Sequence, residues 1–140
     1  MYGPFAEVYD EFMQDVSYEQ WADYIERQWQ THGKHPKLVL DLACGTGSLC
    51  VELSRRGYEM IGADVSEEML NQARDKAEQA GQSILFLEQD MRAFELYGTV
   101  DAILCTCDSL NYLLEEEEVR QVFRLVDNYL NPGGLFLFDV

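Results

Sequence analysis

Val39-Leu40-Asp41-Leu42-Ala43-Cys44-Gly45-Thr46-Gly47-Ser48-Leu49 is the stretch that decides how this chain is built. An apolar run, Leu38-Val39-Leu40, leads to an acid at Asp41 and then to a turn at Cys44-Gly45-Thr46-Gly47. Leu49, Cys50 and Leu53 follow at helical spacing. The pattern predicts a strand, a tight glycine turn and a helix. Gly45 and Gly47 lack a Cβ, so the backbone can take unusual φ and bring its amides close to a ligand. The helix start beyond them offers unpaired N–H groups and a partial positive charge. A plain strand-to-helix turn in some other α/β protein is the simplest alternative.

The rest of the chain alternates in the same way. Residues 1–30 predict helix, broken near Asp15-Val16. Phe5, Val8, Tyr9 and Phe12 mark the first face; Tyr18, Trp21, Ile25 and Trp29 mark the second. Residues 31–37 are a polar connector with Pro36 before the first strand. The helix after the glycine turn should stop at Gly57. Residues 58–63 then predict a second strand that ends in Asp64, about 20 residues beyond Gly45, where such sheets hold ribose hydroxyls. A carboxylate suits that task because it accepts from both hydroxyls at once. Ser66 caps the next helix, Glu67 and Glu68 load its first turn, and Met69, Leu70, Ala73, Ala77 and Ala80 form its inner face up to Gly81. Residues 84–87 predict strand three, ending at Glu88-Gln89-Asp90-Met91, and residues 100–107 predict strand four. A helix over 115–130 presents Val119, Val122, Phe123, Val126 and Leu130, with Glu115 to Glu118 as a solvated start. Asn131-Pro132-Gly133-Gly134 breaks it, and residues 135–140 form strand five.

Strands alternating with helices argue a doubly wound, mostly parallel α/β sheet with right-handed crossovers, in strand order 3-2-1-4-5. Helices of residues 1–36 should lie as a lid over a crevice at the carboxyl ends of the strands, and residues 37–140 should form the core of a single domain.

The spacing Asp41 to Gly45 to Gly47 resembles motif I of class I, Rossmann-like, S-adenosylmethionine (SAM) dependent methyltransferases. The resemblance extends to Asp64 after strand two, to Asp90-Met91 after strand three and to Asn131-Pro132-Gly133-Gly134 before strand five. It covers almost the whole chain, and it implies SAM as cofactor. It places Asp41 near the cofactor's amino group, Ala43, Gly45 and Gly47 around its methionine part, and Asp64 and Val65 beside its ribose. Asp90 would accept from the adenine amino group while the Met91 N–H donates to the ring. Phe5 to Met13 is similar to the N-terminal lid of small-molecule methyltransferases, which implies Tyr9 closing over the cofactor. Asp108, Ser109, Asn111 and Tyr112 then face the methyl acceptor. The chain has no [DNS]-Pro-Pro-[FYW] run and no Pro-Cys pair, so the acceptor implied is a small molecule or a protein. A dinucleotide loop would need glycine where Cys50 stands, which disfavours an NAD(P) oxidoreductase. A SAM-binding module without catalysis is the other alternative.

Composition agrees with this reading. A net charge of −16 repels phosphate backbones, which argues against direct nucleic-acid binding. The longest apolar runs are strand-sized, so no membrane span is expected, and residues 1–4 do not open a secretory signal. Cys44, Cys50, Cys105 and Cys107 form no C-x-x-C pair. They predict thiols in a reducing cytoplasm, near the cofactor, with Cys105 and Cys107 on one face of strand four beside Cys44, and no metal. The family's sheet has seven strands, so the resemblance implies a chain short of its C-terminal part and weak turnover. Leu135-Phe136-Leu137-Phe138 carries no charge and no proline, so an open edge there invites pairing with a second copy.

Overall fold

Residues 17–106 and 115–138 are described by a computed structural model of the chain. Helix α1 (Tyr18–Thr31) precedes β1 (Leu38–Leu42), α2 (Ser48–Arg55), β2 (Glu59–Asp64) and α3 (Glu67–Gln79). Then follow β3 (Leu85–Glu88), β4 (Val100–Cys105), α4 (Glu116–Tyr129) and β5 (Leu130–Phe138). The five strands make one all-parallel sheet in the order β3-β2-β1-β4-β5, as the alternation predicts.

Both faces of the sheet are covered, and that is why its strands are apolar without strict alternation. Val39 of β1 packs into a cluster with Ile25 and Trp29 of α1, Leu53 of α2 and Leu70 and Ala73 of α3. Leu40 and Leu42, one residue out of phase, face Phe94 and the buried Val122 and Val126 of α4. Residues 89–99 form no helix; Phe94 covers that part of the sheet instead, its ring 5.4 Å from Tyr129.

Helix α1 is locked down by polar contacts as well as by its apolar stripe. Arg56, the C-cap of α2, donates to Asp23 and Glu26 of α1 and to Glu52, while the Tyr58 hydroxyl donates to Glu26 at 2.7 Å. Its partners' charges hold the Arg56 guanidinium well above its ordinary range. At the same amino-terminal end of the sheet, Asp101 accepts from the Lys37 and Leu38 amides and from Asn131, so β1, β4 and β5 start in register.

The helix ends follow their sequence signals. Gly57 (φ 102°) and Gly81 (φ 68°) take the left-handed conformation past α2 and α3, and Ser66 caps α3 by accepting from Met69. Strand five differs from expectation. It begins at Leu130, paired with Val100, rather than after a turn, and resumes with Leu135 opposite Ala102. Residues 131–134 are therefore accommodated as a bulge. Only Gly134 fits there, because a Cβ would stand 2.6 Å from the Asp101 carbonyl oxygen. Strand four ends at Cys105, and Cys107 lies outside the described residues.

Gly47 is the residue on which the packing of α2 against α3 turns. Its φ is 81°, and a Cβ on it would lie 2.7 Å from the Ala73 Cβ and 3.1 Å from the Ala73 Cα. Left-handed strain and backbone overlap then add, so Gly47→Ala should destabilise the chain by about 2–4 kcal/mol. Urea denaturation measures this. An unchanged midpoint would mean that α3 is not seated on the turn as described.

Candidate cofactor crevice

The turn after β1 is built from three left-handed residues, Ala43 (φ 59°), Gly45 (φ 59°) and Gly47 (φ 81°). Such a conformation is unusual for alanine and needs holding in place. The Cys44 amide donates to the Ala63 carbonyl at 2.9 Å. The Gly45 amide donates to Asp64 Oδ2 at 2.9 Å, and the Ser66 amide donates to Asp64 Oδ1 at 2.9 Å. One carboxylate thus ties the first turn to the start of α3. The N-cap of helix α2 is Gly47, which offers no side-chain cap, and the first turn has no acid. Ser48 and Leu49 of its first turn line the crevice.

Asp41 lines that crevice together with Tyr18, Trp21, Thr46, Ser48 and Thr106. The side chain is only 2% exposed. Cys50 Sγ lies 3.5 Å from Asp41 Oδ2, and Oδ1 has no hydrogen-bond partner among the described residues. Burial pushes the Asp41 carboxyl up to about 7; the Cys50 contact offsets part of this, and the Asp64 charge adds to it. Asp64 is raised too, again by burial, with the Ser66, Gly45 and Val65 amides working against it. Two nearby buried acids without a cation are electrostatically frustrated. The Cys50 thiol is pushed well up beside them, so neither it nor Cys44 is a reactive thiolate.

The turn and strand ends bring together Asp41, Ala43, Gly45, Gly47 and Asp64. Gly47 serves packing against Ala73 rather than ligand approach alone. Val65 is half exposed at the end of β2. Glu88 pairs with Asp64 across β2 and β3, and Gln89 donates to the Asp64 carbonyl, so Asp90 and Met91 emerge at the same end of the sheet. Asp90 is engaged by Arg92, through the backbone amide at 2.9 Å and through the guanidinium, which lowers its pKa; Arg92 also pairs with Glu118 of α4. Met91 packs partly buried on the α4 side. Tyr9, Asp108, Ser109, Asn111 and Tyr112 lie outside the described residues. Cys105 is a buried thiol on the α4 face and Cys44 a buried thiol on the α1 face, and β1 lies beside β4 as expected. Sequence reasoning did not single out Thr46, Ser48, Trp21 and Thr106 as crevice residues. The first two were legible in principle, because they sit inside the glycine turn.

Residues 39–134 match the profile of the methyltransferase domain family. The chain belongs to this family. It is 45% identical over its full length to a Bacillus subtilis (strain 168) protein named "Putative methyltransferase YqeM", of which it spans 55%. Its fold superposes with a TM-score of 0.88 on a SAM-dependent methyltransferase from Clostridium acetobutylicum, at 34% identity, covering 99% of this chain and 57% of that one. A TM-score of 0.82 at 26% identity relates it to SAM-bound CalS10, an amino pentose methyltransferase from Micromonospora echinaspora; 93% of this chain and 55% of that one are covered. The chain spans a little over half the length of these relatives.

The raised Asp41 pKa makes a stability prediction for the ligand-free methyltransferase domain. Asp41 ionises near its ordinary 3.8 when unfolded and near 7 when folded. Between those values the folded state binds the extra proton, so the Asp41 contribution falls as pH rises and is fully lost above about pH 7. Asp41→Asn removes the titration. The variant's melting temperature should equal wild type near pH 4, exceed it increasingly through pH 5–7 and hold a constant lead above that. A lead independent of pH would show that Asp41 is not buried as an acid.

Proposed function

We propose that this chain binds SAM in the crevice at the carboxyl ends of β1, β2 and β4, and forms the cofactor-binding part of a methyltransferase acting on a small molecule. The observation that carries this reading is Asp41 Oδ1, buried in the crevice with no partner among the described residues and next to a second acid. The amino group of SAM is a cation with three donors, and it supplies what Asp41 lacks. Asp64 accepts from the Gly45 and Ser66 amides and still has acceptor capacity to meet the ribose hydroxyls. Val65 offers an apolar shelf beside it, and Asp90 and the Met91 N–H would read the adenine edge, with Arg92 fixing the Asp90 plane. Ala43, Gly45 and Gly47 shape the turn around the methionine part.

When bound, SAM supplies a methyl group on a sulfonium, primed for displacement. The chain's share is to hold that end still, orient it and keep water out, and displacement at a sulfonium needs little acid–base help. We assign the acceptor side to Asp108, Asn111 and Tyr112 and the closing aromatic to Tyr9. The amino sugar acted on by CalS10 supports a small acceptor over a protein. A dinucleotide fits poorly, because its pyrophosphate would add negative charge beside Asp41 and Asp64. Buried thiols rather than disulfides at Cys44, Cys50 and Cys105 support a cytoplasmic setting. No helix among the described residues is long and apolar enough to cross a membrane.

Calorimetry tests the cofactor. SAM and its demethylated product should bind and NAD should not, and SAM affinity should fall as pH drops below about 7, because Asp41 must then lose a proton on binding. Asp64→Ala should weaken SAM by about 1.5–3 kcal/mol, the size of a charge-assisted hydrogen bond. NAD binding in place of SAM would overturn the assignment. A methyl-transfer screen over small acceptors then separates a catalyst from a binding module.

We also propose that this chain self-associates through the outer edge of β5. Leu135 and Leu137 pack on one face of the sheet and Phe136 on the other, as in an interior strand, while among the described residues only β4 pairs with it. Light scattering at rising concentration should show growth in mass. A monodisperse monomer throughout would refute it.

A further inference from the structure

Lys76 reaches from the last turn of α3 to the glycine turn. Its ammonium donates to Thr46 Oγ1 at 2.9 Å and to Ser48 Oγ at 2.8 Å, across 30 and 28 residues of sequence. Both residues line the same crevice as Asp41. An ammonium is a donor only, so each hydroxyl must receive its bond as an acceptor. The Ser48 proton is then directed to another acceptor, and the charge behind it makes it a stronger donor. Ser48 is also the first residue of α2, where the leading amides and the helix dipole favour an anion. On the other flank stands Asp41 Oδ1, buried, unpartnered among the described residues and suited to a cation.

From this we infer that Lys76 is a positioning residue that makes the Thr46-Ser48 flank of the crevice the subsite for the carboxylate of the cofactor's amino-acid tail, opposite the Asp41 flank that takes the ammonium. The inference rests on the SAM reading above and extends it to the orientation of the zwitterion. With both flanks in place, the amino-acid tail fits in one sense only. The reversed tail would set carboxylate against Asp41 and ammonium against Lys76. Lys76 therefore acts on the amino-acid end of the ligand alone, through Thr46 and Ser48, and has no part in holding the nucleoside.

The test is calorimetry on the wild-type chain, Lys76→Met, Lys76→Arg and Ser48→Ala. The ligands are SAM and 5′-methylthioadenosine, which keeps the nucleoside and lacks the amino-acid tail. Lys76→Met should weaken SAM about tenfold or more and leave 5′-methylthioadenosine unchanged. Ser48→Ala should weaken SAM by a smaller factor, again without touching 5′-methylthioadenosine, and Lys76→Arg should recover part of the loss. A melting curve for each variant checks folding, and Ser48→Ala keeps the test decisive where Lys76→Met does not fold. Equal weakening of both ligands would reduce Lys76 to a structural tie and overturn the inference. Unchanged SAM affinity in Lys76→Met and Ser48→Ala would overturn it too, while leaving SAM binding intact. Failure of the wild type to bind SAM would instead sink the reading beneath it.

Discussion

A single carboxylate holds the cofactor end of this fold together. Asp64 stands at the end of β2 and accepts from the Gly45 amide in one turn and the Ser66 amide at the start of the next helix. Without it, the left-handed run Ala43, Gly45, Gly47 would have no anchor on its outer side. With it, the turn is pulled against β2 and the Cys44 amide finds the Ala63 carbonyl. The same pull has an electrostatic cost. It brings a second acid close to Asp41, whose carboxyl is raised mainly by burial and further by that charge. The crevice is therefore stable in geometry and unsatisfied in charge, and a cationic ligand relieves it.

That arrangement explains why the acidic composition and the function do not conflict. A chain with 26 acids and 10 bases would be expected to repel an anionic ligand, and three of its bases join elements distant in sequence. Arg56 binds α1 to α2, Arg92 joins the end of β3 to α4, and Lys76 ties α3 to the glycine turn. The exposed pairs, such as Arg120 with Glu116, contribute little by comparison. The bases that matter are those that act between elements distant in sequence, Arg56 and Lys76 among them partly buried.

Legibility in the sequence divides along the same line. Features set by neighbours in the chain were readable: the Ser66 cap, the Gly57 and Gly81 stops, the acid closing β2, the order of the strands. Features set by contacts across the sheet were not. Gly47 looked like a ligand-approach glycine, yet its neighbour is Ala73 on another helix. Residues 131–134 looked like a turn, yet pairing of Leu130 with Val100 draws them into the strand as a bulge. Nothing in the sequence around Asp90 announces that Arg92, two residues on, holds its carboxylate. No periodicity distinguishes Cys105, packed on α4, from Cys44, packed on the opposite face.

The crevice itself was half readable for a physical reason. Asp41 announces itself because an acid inside an apolar strand is costly and rarely idle. Its counterpart on the other flank is a lysine on an ordinary amphipathic helix, where a solvated surface role is the natural expectation. What changes its meaning is the side on which its ammonium arrives. In α3, Lys76 lies one helical turn, by an i, i+3 step, beyond Ala73, the residue pressed against Gly47. The small-residue contact that brings the two helices close is thus also what lets the lysine reach Thr46 and Ser48. Helix packing and crevice charge are set by adjacent positions on one helix face, so a larger residue at Ala73 would disturb the electrostatics of a site it does not line.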